Sequence, residues 1–239
     1  MNKKHLPFFI YFAVIPLLSV ISDLIFSVTN PPKTDSTYYF DFSLINQIVY
    51  FSVWVSITTS VVGIYLIIWY CKGEYEKISN FNVMMTTIIS FNSVIFLVYW
   101  LGLVFSPKSI QGFSTPYKII KSIVEHGITP LLFIFYYFFI WKNDKKYSTI
   151  DYIKYKSWYL AIIPGIYIIF YVTRSLMIHN YGRENDYIFN SNPYAQTNMW
   201  DNPIYKWLPI MILQIIVPAA FGIFYNYLSN INNIKFLDN

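Results

Sequence analysis

Six long apolar runs separated by polar gaps set the pattern of this chain: residues 7–28, 44–70, 83–105, 118–141, 157–178 and 207–228. A helix needs about 20 mostly apolar residues to cross a bilayer, and each run meets that length. The pattern predicts an all-α polytopic membrane protein whose six transmembrane helices form one domain over 1–239. The gaps carry turn and charge residues, as in Pro31-Pro32-Lys33-Thr34-Asp35, Lys72-Gly73-Glu74 and Lys142-Asn143-Asp144-Lys145-Lys146. The longest gap, 179–206, is rich in Asn, Asp, Tyr and Pro and carries Arg183, Glu184, Asp186 and Asp201. A connection of this length with no periodic pattern is either functional or disordered, and both readings stay open here. The tail from Ser229 to Asn239 is expected to fray, and no repeat recurs at a fixed period.

Met1-Asn2-Lys3-Lys4 ahead of an apolar run has the look of a secretory signal. That run is too long for a signal core, and no small-x-small cleavage site follows it, so it is read as a retained first span.

Composition agrees with a membrane domain. The chain is 56% hydrophobic and 12% charged, against roughly 25% charged in soluble domains, and its mean hydropathy is +0.42. The net charge of +5 is spread over several loops and forms no basic stripe, which excludes a nucleic-acid-binding role. With both termini inside, ten Lys and Arg fall on the inner side and seven on the outer. That bias orients the protein in the cell membrane with cytoplasmic termini. Cys71 stands alone, which excludes an internal disulfide and a cysteine-based zinc site. His5 and His179 are poorly placed to join His126 around a metal, and no metal or cofactor is expected. The excess of Lys over Arg and the abundance of Ile, Asn, Tyr and Phe fit an AT-rich coding bias, so the aromatic residues carry little functional weight.

The stretch Ile119–Trp141 changes the picture, because Glu125, His126 and Pro130 sit inside a membrane-length apolar segment. Ionisable groups in hydrocarbon are costly, rare and usually turned toward a protein or water cavity. Pro130 has no N–H, so the carbonyl four residues back, that of His126, loses its helical partner. Counting about 1.5 Å per residue from the ends of the runs puts Ser52 and His126 both roughly 12 Å below one face. Gln214 falls near the same level, Asp23 and Arg174 lie somewhat shallower, and Asn92 lies deeper. Each group also has a structural reading. Ser52 is then a helix-packing residue, His126 an interhelical hydrogen-bond partner, and Asp23 with Arg174 an ion pair. Glu125 projects about 100° away from His126 around a helix and is expected to face another partner.

The chemical reading joins them. Histidine is the usual base that activates a weak serine nucleophile, with Asp23 or Glu125 orienting the imidazole. Arg174, Gln214 or kinked backbone would hold an oxyanion. Entry from the bilayer favours a lipid ester. No G-x-S-x-G elbow is present, which excludes a standard α/β-hydrolase.

Tyr50-Phe51-Ser52, His126-Gly127-Ile128-Thr129-Pro130, Pro164-Gly165-Ile166-Tyr167 with Arg174, and Asn192-Pro193-Tyr194 together resemble the bacterial six-span relatives of the androgen-induced protein family. That family includes eukaryotic membrane hydrolases of fatty acid esters of hydroxy fatty acids. An uncharacterised membrane-protein family of wall-less bacteria is similar too, and closer. The resemblance implies a nucleophile at Ser52, where the family carries threonine, and a histidine at His126. It gives Tyr194 a place in a loop motif that is otherwise reduced here. Trp54 and Ser56 stand where the bacterial pattern tends to have Gln and Asn.

Two other functions remain open at this point. In one, the chain is a non-enzymatic substrate-binding or transport protein whose solute pocket is lined by Asp23, His126, Arg174 and Gln214 and capped by 179–206. In the other, it is a structural or assembly factor whose polar groups serve helix packing.

Overall fold

Lipid offers the backbone no hydrogen bonds, so an apolar run must satisfy its own N–H and C=O groups, and a helix does this within one segment. A computed structural model of the protein describes residues 3–29, 47–105, 115–141, 147–180 and 197–231. A short 3₁₀ turn, Lys3–His5, leads into α1 (Leu6–Thr29). There follow α2 (Phe51–Cys71), the one-turn α3 (Tyr75–Ser79), α4 (Asn82–Phe105), α5 (Pro116–Ile140), α6 (Thr149–Tyr155), α7 (Tyr159–Asn180) and α8 (Ile204–Ile231). Among the described residues, six segments are long and apolar enough to cross a membrane. Large apolar side chains such as Val98, Phe105, Ile169 and Ile216 are exposed on their outer faces, where lipid solvates them. The chain is an all-α, multi-pass membrane protein.

Helix α1 packs along α2, α8 packs along α4 and α7, and α4 stands at the centre against α2, α5, α7 and α8. The buried face of α4 is strongly polar, with Thr86, Thr87, Ser90, Asn92 and Ser93 all shielded. Their side chains stay satisfied by bonding the carbonyl one turn back, as Ser90 does to Thr86 at 2.6 Å and Asn92 to Ile88 at 2.9 Å. Ser93 also meets the Tyr225 hydroxyl of α8 at 2.6 Å.

Two local breaks position the site. The second apolar run extends from 44 in the sequence, whereas α2 starts at Phe51. Tyr50 is extended, at φ −88° and ψ 128°. Two side chains hold that break by taking carbonyls of the turn before it: the Trp54 indole donates to Ile48 at 2.7 Å and the Tyr167 hydroxyl to Val49 at 2.8 Å. Ser52 therefore lies in the first turn of its helix. The second break is in α5, where residues Val124–Ile128 form a π turn and the Thr129 N–H donates five residues back, to Val124. The Pro130 ring would crowd the carbonyl four residues earlier, and the wider turn relieves that clash.

Candidate active site in the membrane

Helices α1, α2, α4 and α5 enclose one small polar cavity. From α2 come Ser52, Ser56 and Thr59, at the i, i+4, i+7 spacing that puts them on one stripe. From α5 come Glu125, His126 and Thr129, from α4 Asn92 and Ile95, and from α1 Pro16. The space admits about one water molecule.

Ser52 and His126 thus share a cavity without touching. The hydroxyls of Ser52 and Ser56 make no hydrogen bond among the described residues. The Nδ1 of His126 is buried and likewise has no hydrogen-bond partner among them. The imidazole lies flat on the Tyr99 ring, with centroids 4.0 Å apart and planes 12° apart, so its rotation is restricted. Its backbone is held as well. The carbonyl that Pro130 deprives of an α-helical partner accepts the Trp100 indole N–H at 2.8 Å. Trp100→Phe should cost about 2 kcal/mol by leaving that carbonyl unsatisfied, read from denaturation in detergent micelles. Pro130→Ala in the same chain supplies a backbone N–H and should recover most of the loss; no recovery would mean that indole packing, not the bond, carries the effect.

Across the cavity the Asn92 side-chain nitrogen spends both hydrogens, on Thr59 Oγ1 at 3.2 Å and on the Ile88 carbonyl. Asn92 was expected to lie below the polar layer, yet it forms a wall of the cavity. Depth counted along straight helices fails here because α2 starts at Phe51 and α5 widens at 124–128.

Glu125 lines the cavity beside His126, and one of its oxygens lies 3.9 Å from the His126 Nε2. The other accepts a hydrogen bond from Ser19 of α1 at 2.5 Å. Lys121, one turn earlier on α5, reaches Glu125 at 3.6 Å and Asp23 of α1 at 2.6 Å. The pairing of Asp23 with Arg174 is therefore corrected: Asp23 faces α5, and its cation is Lys121. Sequence reasoning counted Lys121 as a loop-flanking charge and missed it. The signal was there, since Ser19 with Asp23 and Lys121 with Glu125 are both i, i+4 pairs on antiparallel neighbours.

Arg174 and Gln214 lie elsewhere. Arg174 is buried on α7 near Tyr171, Tyr167 and Tyr50. Gln214 is on α8, its buried Oε1 without a partner among the described residues. Neither lines the cavity, so the four-residue solute pocket and the Arg174 or Gln214 oxyanion donors are not assembled there. Tyr194, with Asn192 and Pro193, lies outside the described residues, as do Arg183, Glu184 and Asp186.

Comparison with known proteins adds no relative: no family model, no curated protein and no solved structure matches the chain.

Proposed function

We propose that this protein is an intramembrane hydrolase of lipid esters, with Ser52 as nucleophile and His126 as general base. The observation that carries the reading is that a serine hydroxyl and a histidine nitrogen, both without hydrogen-bond partners among the described residues, line one enclosed polar cavity inside the bilayer. The resemblance of the Tyr50-Phe51-Ser52 and His126–Pro130 segments to membrane ester hydrolases agrees with it.

In acylation, His126 takes the Ser52 proton as Oγ attacks the ester carbonyl. Collapse of the tetrahedral intermediate breaks the carbon–oxygen bond to the alcohol, which leaves with the proton from His126. Water, deprotonated in turn by His126, then cleaves the acyl-serine to acid and free hydroxyl. The negative oxygen of each intermediate would be held by the Ser56 hydroxyl and by backbone N–H groups at the start of α2, other than that of Val53, which already bonds the Tyr50 carbonyl at 3.1 Å. A cavity of one-water size holds the hydrolytic water but not an acyl ester, so turnover requires the helices around Ser52 to part. A solute-binding role is less well served, since Arg174 and Gln214 stand away from the cavity. The lysine bias places the termini in the cytoplasm.

A long-chain alkyl fluorophosphonate tests the reading. It should label the wild-type protein in proteoliposomes, lose the label in Ser52→Ala, and keep it in Ser52→Thr. His126→Ala should slow labelling by about 10²- to 10⁴-fold, the usual worth of a general base. Unchanged labelling of Ser52→Ala overturns the assignment.

A further inference from the structure

The cavity is not equally closed toward the two membrane faces. Toward the face where α1 ends and α5 begins runs a seam of polar and charged groups between those two antiparallel helices. Along it Asp23 meets Lys121 at 2.6 Å, Lys121 meets Glu125 at 3.6 Å, and Ser19 donates to the other Glu125 oxygen at 2.5 Å. Exposure falls along this line, from 28% for the Asp23 side chain to 18% for Lys121 and 9% for Glu125. At about 1.5 Å per residue, Asp23 lies roughly 9 Å from the end of α1, within reach of interfacial water, and Glu125 roughly 14 Å from the start of α5.

Toward the opposite face the α1–α5 contact turns aromatic and carries no charge pair among the described residues. One turn below Pro16 and Thr129, Phe12 stacks on Phe133 with centroids 3.7 Å apart. Tyr136 packs edge-on to Phe12, and Leu66, Met85 and Ile88 complete a floor with no exposed surface. Tyr136 is tied off by His5 at 2.8 Å. Polar groups occur on that side too, but they are neutral and closed on one another, as Tyr11 is on the cavity residue Thr129 at 3.2 Å and Thr86 on Tyr137 at 2.9 Å, whereas the first side offers a row of charged groups.

We propose that the α1–α5 seam is the entry for water and protons to the cavity, which is open to one membrane face only. The proposal rests on the hydrolase reading for its purpose. Hydrolysis consumes one water, and the acid product ionises in neutral water. The released proton passes to His126 and from it to the Glu125 carboxylate; Lys121 gives one of its own protons to Asp23 and takes the Glu125 proton in its place, which leaves the imidazole neutral for the next cycle. The ionisable groups around His126 are Tyr99 on α4, Asp23 on α1 and Tyr117, Lys121 and Glu125 on its own helix. Helix α2 presents only the hydroxyls of Ser52, Ser56 and Thr59 to the cavity.

The test sets the pH independently on the two sides of proteoliposomes with a strong trapped buffer. Orientation is scored with an impermeant maleimide on Cys71, exposed at the end of α2 and so on the floor side. The rate of Ser52 labelling by the alkyl fluorophosphonate should fall severalfold when the seam face is acidified from pH 7.5 to about 5, as the buried Glu125 carboxylate beside His126 is protonated and ceases to take its proton. Acidifying the floor face should change it less than twofold. Equal dependence on both faces, or dependence on the floor face, overturns the route. If Ser52 takes no label at all, the hydrolase reading fails by itself. The route is then judged in the same vesicles from the ¹⁵N ring signals of His126, assigned by their loss in His126→Asn. Response to the seam-side pH alone supports the route, and any other response sinks it.

Discussion

Gly63→Leu is expected to abolish the assembled protein, and Gly63→Ala to destabilise it by about 3 kcal/mol, the upper end for overpacking. A methyl group at Gly63 would lie 2.4 Å from the Ala13 backbone nitrogen and 2.7 Å from the Phe12 carbonyl carbon. These are backbone atoms in the middle of α1, so no rotamer change relieves the clash. Normal carbon contacts need about 3.5 Å, so the two helices would have to part by about 1 Å along their whole seam. Pro16 and the Ser52–Thr59 stripe ride on those helices, so Ser52 labelling should fall together with stability. Gly165 offers the matched control: a methyl there meets nothing within 4 Å. Gly165→Ala should be neutral or stabilising by up to about 1 kcal/mol, through helix propensity alone. Thermal unfolding in detergent, followed by size-exclusion chromatography, reads all three; equal melting of the Gly63 and Gly165 variants would refute the packing argument.

Lys121→Ala should cost about 3 kcal/mol. Removing one member of a buried ion cluster leaves the others charged and uncompensated, a loss of about 3–5 kcal/mol. The lower end applies because the Asp23 side chain keeps 28% of its surface exposed. Two carboxylates would then face each other across Ser19 with no cation between them. Adding Asp23→Asn and Glu125→Gln to Lys121→Ala removes both orphaned charges and should restore most of the stability. Lys121→Arg should stay near wild type. Chemical denaturation in mixed micelles gives the differences, and a triple variant no more stable than Lys121→Ala would show that lost packing, not charge, is responsible.

The spans were legible because a membrane helix announces itself by length and apolarity, signals that survive errors of a few residues. The pairing of Ser52 with His126 in one cavity was also anticipated, although the counted depth was not what brings them together. What escaped depended on partners. Nothing in an apolar run marks Gly63 as the point of closest helix approach, since only the neighbouring backbone makes it so. Lys121 reads as a flanking cation until α1 supplies Asp23 and Glu125 joins it from one turn away. Asn92 was set aside because a ruler of equal rises cannot see the break at Tyr50 or the widened turn in α5. Arg174 and Gln214 were grouped with the cavity by level alone, and level says nothing about facing.

The widened turn at 124–128 has a consequence for how this chain can change. A π turn is an α-helix carrying one surplus residue. Deleting a single residue from Val124–Ile128 would therefore remove the widening and leave the two halves of α5 facing as they do now. Tightening the turn to ordinary α spacing with all residues kept would instead turn the halves by about 100° against each other, and Phe133 and Tyr136 could then keep their seats in the floor only if Glu125 and Lys121 left α1. The surplus residue is thus a phase shifter between two interfaces of one helix, and a substitution that let the turn tighten would act on the cavity more severely than the loss of a residue there.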